Sequence, residues 1–191
     1  MKPKVIKNFA DKFEIGILNW WAIDNYRKNP HQYNDAGMDP KHPGSRFTTR
    51  LKQWENYNNL NIEIEYPQTV YTIQERILWR LKLRNFRLPP PFYEGIVNGI
   101  GFGEGSIIEH IDPVYYPDTV TIHCNMITRK ADSGGVTIIG GVEYDIEPGD
   151  LLCYPVSETK HKVTLTKGDT NRILWVFGFC LPIDEAEDIF Q

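Results

Sequence analysis

Residues 106–112 read Ser106-Ile107-Ile108-Glu109-His110-Ile111-Asp112, and the interpretation of the chain starts from this stretch. Residues i and i+2 of a β-strand point to the same face, so His110 and Asp112 direct an imidazole and a carboxylate to one side. His161 lies in the segment 160–165, where His, Val and Leu alternate with Lys, Lys and Thr. This alternation is typical of a strand with one buried face, and it turns His161 inward. The three side chains are therefore expected to meet at one metal ion.

Arg172 is a further polar residue that the alternation of a predicted strand turns inward. It lies on the next predicted strand, where it shares a face with Leu174 and Val176. Two histidines and one carboxylate on one side of a metal are typical of non-heme Fe(II) oxygenases, which keep positions open for a co-substrate and O₂. A guanidinium binds carboxylates with paired hydrogen bonds. Arg172 therefore predicts a dicarboxylic ligand in the same cavity.

From about residue 98 to residue 179 the chain resembles the Fe(II)/2-oxoglutarate-dependent dioxygenases, and most of all their prolyl-hydroxylase-like branch. An ordered series of motifs carries the resemblance: His110-x-Asp112, Ser133-Gly134-Gly135, Glu147-Pro148-Gly149-Asp150-Leu151-Leu152, His161-x-Val163, Gly168 and Arg172. The series covers a little under half of the chain, and the N-terminal half has no counterpart.

The resemblance implies an oxidoreductase that uses Fe(II), 2-oxoglutarate and O₂. The catalytic metal ligands would be His110, Asp112 and His161, and Arg172 would pair with the distal carboxylate of 2-oxoglutarate. The enzyme would oxidise, most often hydroxylate, an unactivated C–H bond and release succinate and CO₂. Because position 112 is an aspartate and not a small residue, hydroxylation, desaturation or cyclisation is favoured over halogenation.

Three further residues are expected at the co-substrate pocket. Thr121, His123, Asn125 and Ile127 share one face of a predicted strand. By resemblance this face borders the 2-oxoglutarate pocket, where Asn125 matches a side chain that bonds the distal carboxylate. His123 is a rival metal ligand, but because the resemblance already assigns three ligands, we expect it to be a cavity histidine that does not ligate the metal. The family also has an Asn or Tyr near Asn98, and Ile100 departs from the usual Tyr.

The spacing of the strands predicts the fold. Seven or eight short strands separated by turn residues indicate a β-sandwich or barrel. The resemblance makes this a double-stranded β-helix (jelly-roll) in a mainly β (α+β) protein, with N-terminal helices packed on one sheet. We expect one domain over 1–191, with a helical covering region and a long loop at 1–91 and a catalytic core at 92–181. Pro89-Pro90-Pro91 would mark the join.

Two amphipathic helices are predicted in the N-terminal half. The first runs from residue 8 or 11 to about residue 26, and its tryptophans are expected to pack on the sheet with the other members of the apolar stripe: Phe13, Ile17, Trp20 and Trp21. The second is expected to begin at a Thr72/Glu75 capping box and to bury one face of four residues: Ile73, Ile77, Leu78 and Leu81.

Two regions are candidates for holding the substrate. Segment 27–50 lacks periodicity and is expected to be a long loop, with His31 and His42 at its surface. Tyr115 and Tyr116 follow Asp112 in a loop near the predicted metal. A peptidyl residue, a free amino acid and a small metabolite all remain open as substrates.

Composition and charge limit the classes of partner and the cell compartment that we expect for the protein. The chain has 191 residues, 41% of them hydrophobic, and a net charge of −4. It lacks a basic stripe, so nucleic-acid binding is not expected. Cys124, Cys153 and Cys180 lie in apolar strand-like segments and are expected to be buried thiols in a reducing cytosol. No signal peptide or 18-residue apolar run is present, so a soluble, cytoplasmic protein without a membrane segment is expected. The oligomeric state is not predicted.

Two other classes of barrel remain as alternatives. A cupin-type metal-dependent isomerase or thiol dioxygenase, which does not use 2-oxoglutarate, shares the barrel and the Pro-Gly-Asp turn. Its usual ligands are His-x-His and a Glu, whereas Asp112 replaces the second His here. A non-catalytic barrel that binds a ligand or a metal without turnover is the other alternative. An inward Arg172 has no use in a purely structural barrel.

Overall fold

The computed structural model describes residues 1–35, 40–41, 46–50, 52–56, 59–63, 65–89 and 95–191. His42, Pro90 and Pro91 lie outside these residues. The strands are β1 (Lys4–Ile6), β2 (Asn34–Asp35), β3 (Arg46–Arg50), β4 (Lys52–Asn56), β5 (Asn59–Glu63), β6 (Ile96–Gly101), β7 (Gly105–His110), β8 (Thr119–Arg129), β9 (Thr137–Ile139), β10 (Val142–Tyr144), β11 (Leu151–Pro155), β12 (His161–Thr166) and β13 (Arg172–Pro182). The helices are α1 (Lys12–Lys28), α2 (Gln68–Leu81) and α3 (Ile183–Ile189), with a 3₁₀ turn at Pro30–Gln32.

The strands form two main antiparallel sheets, as in a jelly-roll. The major sheet has the order β1-β11-β8-β13-β6-β3-β2 and the minor sheet the order β10-β9-β12-β7, while β4 and β5 form a separate hairpin. The predicted hairpin at Gly140-Gly141 connects β9 to β10, and both glycines have a positive φ. The predicted jelly-roll fold is confirmed.

Strand β13 separates two hydrophobic cores. Its residues alternate between the faces of the major sheet, as a strand requires. Ile173, Trp175, Phe177 and Phe179 are fully buried in the core beneath the helices, as predicted. Leu174 and Val176 belong to a second, smaller core that includes residues of both sheets. The functional candidates lie on this inner face.

Helix α1 begins where the sequence predicts, but it buries a different face. Asp11 caps it and forms a capping box with Glu14. Phe13 and Trp20 are 76% and 66% exposed, whereas Leu18 and Ala22 are fully buried. The expectation that both tryptophans pack on the sheet is therefore wrong for Trp20. It is right for Trp21, whose ring lies 5.5 Å from that of Trp175. Small Ala22, one turn after Leu18, leaves room for the helix to approach the sheet.

Helix α2 buries the predicted face but begins one turn earlier than predicted. It starts at Gln68 after Pro67. Thr72 is inside the helix, where its hydroxyl donates to the Gln68 carbonyl, so the expected capping box is wrong. Ile73 and Ile77 are fully buried, as expected.

The two helices are joined by an ion pair. The Arg76 guanidinium of α2 donates to both carboxylate oxygens of Glu14 and to the carbonyl of Phe9. The hydrogen bonds from Arg76 outweigh burial and lower the pKa of the Glu14 carboxyl. Arg76 is therefore a structural residue, although the sequence places it on a basic helix face.

Segment 27–50 contains more structure than the sequence predicts. It forms the 3₁₀ turn and β2, and β3 extends the major sheet beside β6, with Thr48 opposite Gly99. A strand at Arg46–Arg50 is confirmed, so the expectation of one continuous loop is wrong. His31 is exposed, as expected.

Two other expectations concern the cysteines and the membrane. All three cysteines are buried free thiols, as predicted. Within the residues described, no helix combines the length and the apolar character needed to cross a membrane.

Candidate metal centre

Two histidines face each other across neighbouring strands of the minor sheet. His110 is the last residue of β7 and His161 is the first residue of β12. Their Cα atoms are paired in the antiparallel ladder, and their ring centroids lie 4.2 Å apart. Backbone pairing therefore fixes the relative position of both imidazoles before any ligand binds.

The same hydrogen bond orients both imidazoles. His110 Nδ1 lies 2.8 Å from the Ile108 carbonyl oxygen, and His161 Nδ1 lies 3.1 Å from the Thr159 carbonyl oxygen. A carbonyl oxygen only accepts, so Nδ1 carries the proton in each ring and Nε2 carries the lone pair. Histidines that bind metals are usually held in this way.

Asp112 supplies a carboxylate beside the two rings. Its backbone N–H donates to the Val156 carbonyl at 3.0 Å, which anchors the chain just after β7. Its Oδ1 lies 3.3 Å from His110 Nε2. The ligand atoms of His110, Asp112 and His161 all lie within 4.8 Å of one another. Within the described part of the chain, these three residues form the group suited to hold a metal ion.

The electrostatics of these residues suit a divalent cation. Burial raises the pKa of the Asp112 carboxyl, but the nearby imidazoles of His110, His123 and His161 outweigh burial, and the pKa is lowered. Burial lowers the pKa of the His161 imidazole. A charged carboxylate and a neutral imidazole are the states that bind metal.

A cavity lined by Arg172 lies beside the histidines. Val163 and Ile107 are paired on the same two strands as His161 and His110, one step further along. They line a cavity of about 390 Å³, counting space open to solvent, together with Gly99, Gly101, Gly105, Ser106, Thr166, Arg172 and Leu174. Arg172 is only 9% exposed. The structure therefore brings His110, Asp112 and His161 together and places Arg172 in the neighbouring cavity.

Gly135, the second glycine of the Ser133-Gly134-Gly135 motif, lies against Arg172, which accounts for a glycine at this position. Its φ is +73°, and a Cβ at this position would lie 2.9 Å from Arg172 Cδ and 3.0 Å from Arg172 Nε. The glycine backbone therefore lies directly against the arginine side chain. A larger residue would displace the guanidinium.

Asn125 and Tyr154 lie on the inner face of the major sheet. The amide Nδ2 of Asn125 donates to the Tyr154 hydroxyl at 3.1 Å, and its Oδ1 is buried with no hydrogen-bond partner among the described residues. The Tyr154 ring packs edge-on against His161, with centroids 5.3 Å apart. The sequence analysis missed Tyr154 because it lies in an apolar run, although it pairs with His123 in the sheet.

Asn98 does not reach the cavity. Its side chain is fully buried, donates to the Leu174 carbonyl at 3.2 Å and accepts from the Tyr33 hydroxyl at 3.4 Å. Ile96 and Ile100, which share its face of β6, belong to the core beneath the helices. The expectation that Asn98 contacts the co-substrate is therefore corrected, because the strand turns it to the other face.

A second, smaller cavity lies against the middle of β13, at Val176 and Gly178. It has about 230 Å³, counting open space, and is lined by Pro89, Gly95, Val97, Tyr115, His123, Val176 and Gly178. Tyr115 and His123 are thus brought to one pocket. Tyr116 instead donates to the Leu88 carbonyl at 3.0 Å and packs under the Arg87 guanidinium. We therefore leave Tyr116 out of the candidate site.

Comparison with solved structures identifies the group of proteins that share this fold. A Pseudomonas putida prolyl-4-hydroxylase aligns with a TM-score of 0.54 at 16% identity, over 94% of this chain and 91% of that one. A Burkholderia pseudomallei oxidoreductase of the 2OG-Fe(II) oxygenase family aligns with a TM-score of 0.61 at 13% identity, over 94% and 85%. A Trichoplax adhaerens prolyl hydroxylase, in complex with a peptide fragment of hypoxia inducible factor, aligns with a TM-score of 0.63 at 12% identity, over 99% of this chain and 87% of that one.

At these identities the comparison shows the fold. The chain has the fold of the prolyl-hydroxylase-like 2-oxoglutarate oxygenases over nearly its whole length. No protein-family model matches the sequence, and no curated protein matches it.

Proposed function

We propose that the protein is an Fe(II)- and 2-oxoglutarate-dependent dioxygenase that hydroxylates an unactivated C–H bond. The observation that carries the proposal is the cluster His110, Asp112 and His161 with a cavity leading to a buried Arg172. The shared fold of three oxygenase structures supports it. A cupin-type or non-catalytic barrel gives no reason for the arginine at the end of the cavity.

The donor set fits iron. Two imidazoles with Nδ1 bonded to carbonyls and one carboxylate are ligands suited to Fe(II), and His110, Asp112 and His161 would hold the ion. Iron held there would supply the activation of O₂. The chain's own contribution is to keep both Nε2 lone pairs aimed at one point through the β7–β12 ladder.

Arg172 would hold the distal carboxylate of 2-oxoglutarate. Its guanidinium is buried at the far end of the cavity from the histidines. Such a group forms two charge-assisted hydrogen bonds with a carboxylate. The cavity wall of Ile107, Val163 and Leu174 would contact the methylene groups and exclude water.

Asn125 can donate a further hydrogen bond to the ligand. In the assigned orientation its Oδ1 is buried without a partner. The two ends of an amide are distinguished only by their hydrogen bonds, so the opposite orientation is equally open. In that orientation the Tyr154 hydroxyl donates to Oδ1, and Nδ2 becomes the available group. An N–H donor suits an anionic ligand, as expected from the sequence.

The substrate would enter beside the middle of β13, next to His123 and Tyr115. In the balanced reaction, 2-oxoglutarate, O₂ and R–H give succinate, CO₂ and R–OH. One oxygen atom enters succinate and the other enters the product; decarboxylation and the C–H bond each supply two electrons. The pocket's apolar lining of Pro89, Val97 and Val176 fits a small aliphatic group, free or peptidyl. The peptide in the Trichoplax adhaerens complex supports a peptidyl substrate for that fold.

The direct test is succinate formation from 2-oxoglutarate. Purified protein receives Fe(II), O₂ and 2-oxoglutarate, with ascorbate as the electron donor in place of the substrate. We expect iron-dependent succinate that falls to background in Asp112→Ala. Glu109→Ala is the matched control, because Glu109 is an exposed carboxylate on β7, the strand that Asp112 follows. Equal rates in Asp112→Ala and the unchanged protein would contradict the proposal.

A further inference from the structure

We infer that His123 is a positioning residue for Asp112, holding the carboxylate that binds the metal. The inference rests on the proposed function and deepens it, because it assigns a role to a third histidine that is not a metal ligand. His123 lies on β8, on the inner face of the major sheet, while His110 and His161 lie on the minor sheet. The metal centre is thus bounded by both sheets.

Each oxygen of Asp112 faces a different imidazole. Oδ1 lies 3.3 Å from His110 Nε2, and Oδ2 lies 3.6 Å from His123 Nδ1. The second distance is slightly longer than a hydrogen bond, so a small shift of either side chain forms one. The backbone contact with Val156 fixes the main chain of Asp112, but it does not restrict rotation of the carboxylate. A hydrogen bond from His123 Nδ1 to Oδ2 would restrict it, whereas His110 Nε2 carries a lone pair and cannot donate.

His123 is itself held in place from two sides. Gly178 pairs with it on β13, and a Cβ at residue 178 would lie 3.6 Å from His123 Cδ2 and 3.8 Å from Nε2. The ring therefore packs directly on the strand backbone. Tyr154 pairs with His123 on the other neighbouring strand, with its ring edge-on at 6.5 Å. The orientation of the imidazole is set by the sheet.

The same ring forms a wall of the smaller cavity, where the substrate is proposed to bind. Gly178 keeps this space open, since a Cβ there would also lie 3.3 Å from Pro89 Cγ. A side chain at residue 178 would enter the pocket and press on His123. Asp112, the proposed metal ligand, therefore faces its positioning residue His123. His123 in turn packs against Gly178 in the wall of the substrate pocket.

The test compares two substitutions of His123 in anaerobic Fe(II) titrations. His123→Leu removes the donor, and we expect the Fe(II) dissociation constant to rise at least about tenfold, as is usual when an outer partner of a metal ligand is lost. His123→Asn keeps an N–H donor close to the position of Nδ1, and we expect affinity within about threefold of the unchanged protein. Exposed His31→Leu is the control for loss of a histidine.

A second variant leaves His123 in the chain. Gly178→Val suits a β-strand and places methyl groups against the His123 ring. We expect it to weaken Fe(II) binding in the same direction as His123→Leu. If His123→Leu does not fold, Gly178→Val still tests the positioning role of His123. The apparent affinity for 2-oxoglutarate should change little once Fe(II) is saturating, because Arg172 lies at the start of β13 and Gly178 lies beyond its middle.

Each other outcome overturns a defined part of the account. Unchanged Fe(II) affinity in His123→Leu, or equal losses in His123→Leu and His123→Asn, would overturn the positioning role and leave the proposed function standing. Unchanged affinity in Gly178→Val would overturn the role of the glycine in seating the ring. Failure of the unchanged protein to bind Fe(II) would overturn the proposed function, and the positioning role with it.

Discussion

His110 and His161 are directly paired across β7 and β12, and their ring centroids lie 4.2 Å apart. Side chains alternate between the faces of a strand, so a shift of one residue in this register would turn one imidazole away from the site. β12 also pairs with β9, where His161 lies opposite Ile139. The position of the metal centre is thus set by ordinary backbone hydrogen bonds on both sides of β12.

Gly135 should control co-substrate affinity through Arg172. In Gly135→Ala the added Cβ overlaps the arginine side chain, so we expect the KM for 2-oxoglutarate to rise about tenfold, which corresponds to the loss of one charge-assisted hydrogen bond. Fe(II) affinity should stay the same. The measurement is succinate formation at saturating iron.

Gly141→Ala is the matched control for that prediction. Gly141 also has a positive φ, of +84°, but no atom lies within 4 Å of an added Cβ. Both variants therefore carry the backbone cost of alanine at positive φ, and only Gly135→Ala disturbs Arg172. Equal changes in KM for the two variants would show that strain, and not the arginine contact, is responsible.

Asp150 of the Pro-Gly-Asp turn should stabilise the fold. It is 3% exposed and accepts from the backbone N–H groups of Asn8 and Glu147 and from Lys7. Because hydrogen bonds to a charged group are worth more than neutral ones, Asp150→Ala should lower the free energy of unfolding by about 2 kcal/mol. Exposed Asp145→Ala should change it by less than about 1 kcal/mol. Denaturant unfolding measures both.

The contribution of Asp150 should depend on pH. Burial raises the pKa of this carboxyl, but the hydrogen bonds from Lys7, Asn8 and Glu147 outweigh burial, and the pKa lies below its usual value of 3.8. A carboxyl with a lowered pKa in the folded state stabilises the fold above the unfolded-state pKa and loses this contribution as pH falls through the folded-state pKa. The difference in stability between Asp150→Asn and the unchanged protein should therefore be constant near neutrality and shrink below pH 3.8. A difference that grows on acidification would contradict this assignment.

The face that α1 buries can be tested by truncation. Leu18 is fully buried beside Ala22, whereas Phe13 is 76% exposed. Leu18→Ala should cost about 3 kcal/mol, since it removes buried methyl groups and leaves a cavity. Phe13→Ala should change stability by less than about 0.5 kcal/mol. Thermal or denaturant unfolding would show the reverse order if the stripe predicted from the sequence were the buried one.

The metal site could be predicted from sequence because its signals are local. His110 and Asp112 are two residues apart, at and just after the end of β7, and the alternation after His161 fixes which way it points. Arg172 follows from the same rule on β13. Each inference needs only the face of one strand, and the structure gives those faces as expected.

The errors arise where a face could not be read from one segment. Apolar residues lie all round α1, so its periodicity fits a stripe through Phe13 and Trp20 as well as the stripe through Leu18. Both faces of β6 carry buried apolar residues, Ile96 and Ile100 on one and Val97 on the other, so the face of Asn98 could not be read from this strand alone. Tyr154 and Gly178 gain their roles only from pairing with His123, and strand pairing is not visible in the sequence.

The central claim is that the three ligands and Arg172 hold Fe(II) and 2-oxoglutarate together. The most direct measurement adds Fe(II) and then 2-oxoglutarate to the protein without O₂, and follows the weak visible charge-transfer band of the chelate. We expect the band in the unchanged protein and none in His161→Ala. In Arg172→Ala the band should need about 10 to 100 times more 2-oxoglutarate, as the loss of a charge-assisted pair implies. A protein that binds iron but gives no band at any 2-oxoglutarate concentration would contradict the claim and favour a metal-binding barrel of the cupin type.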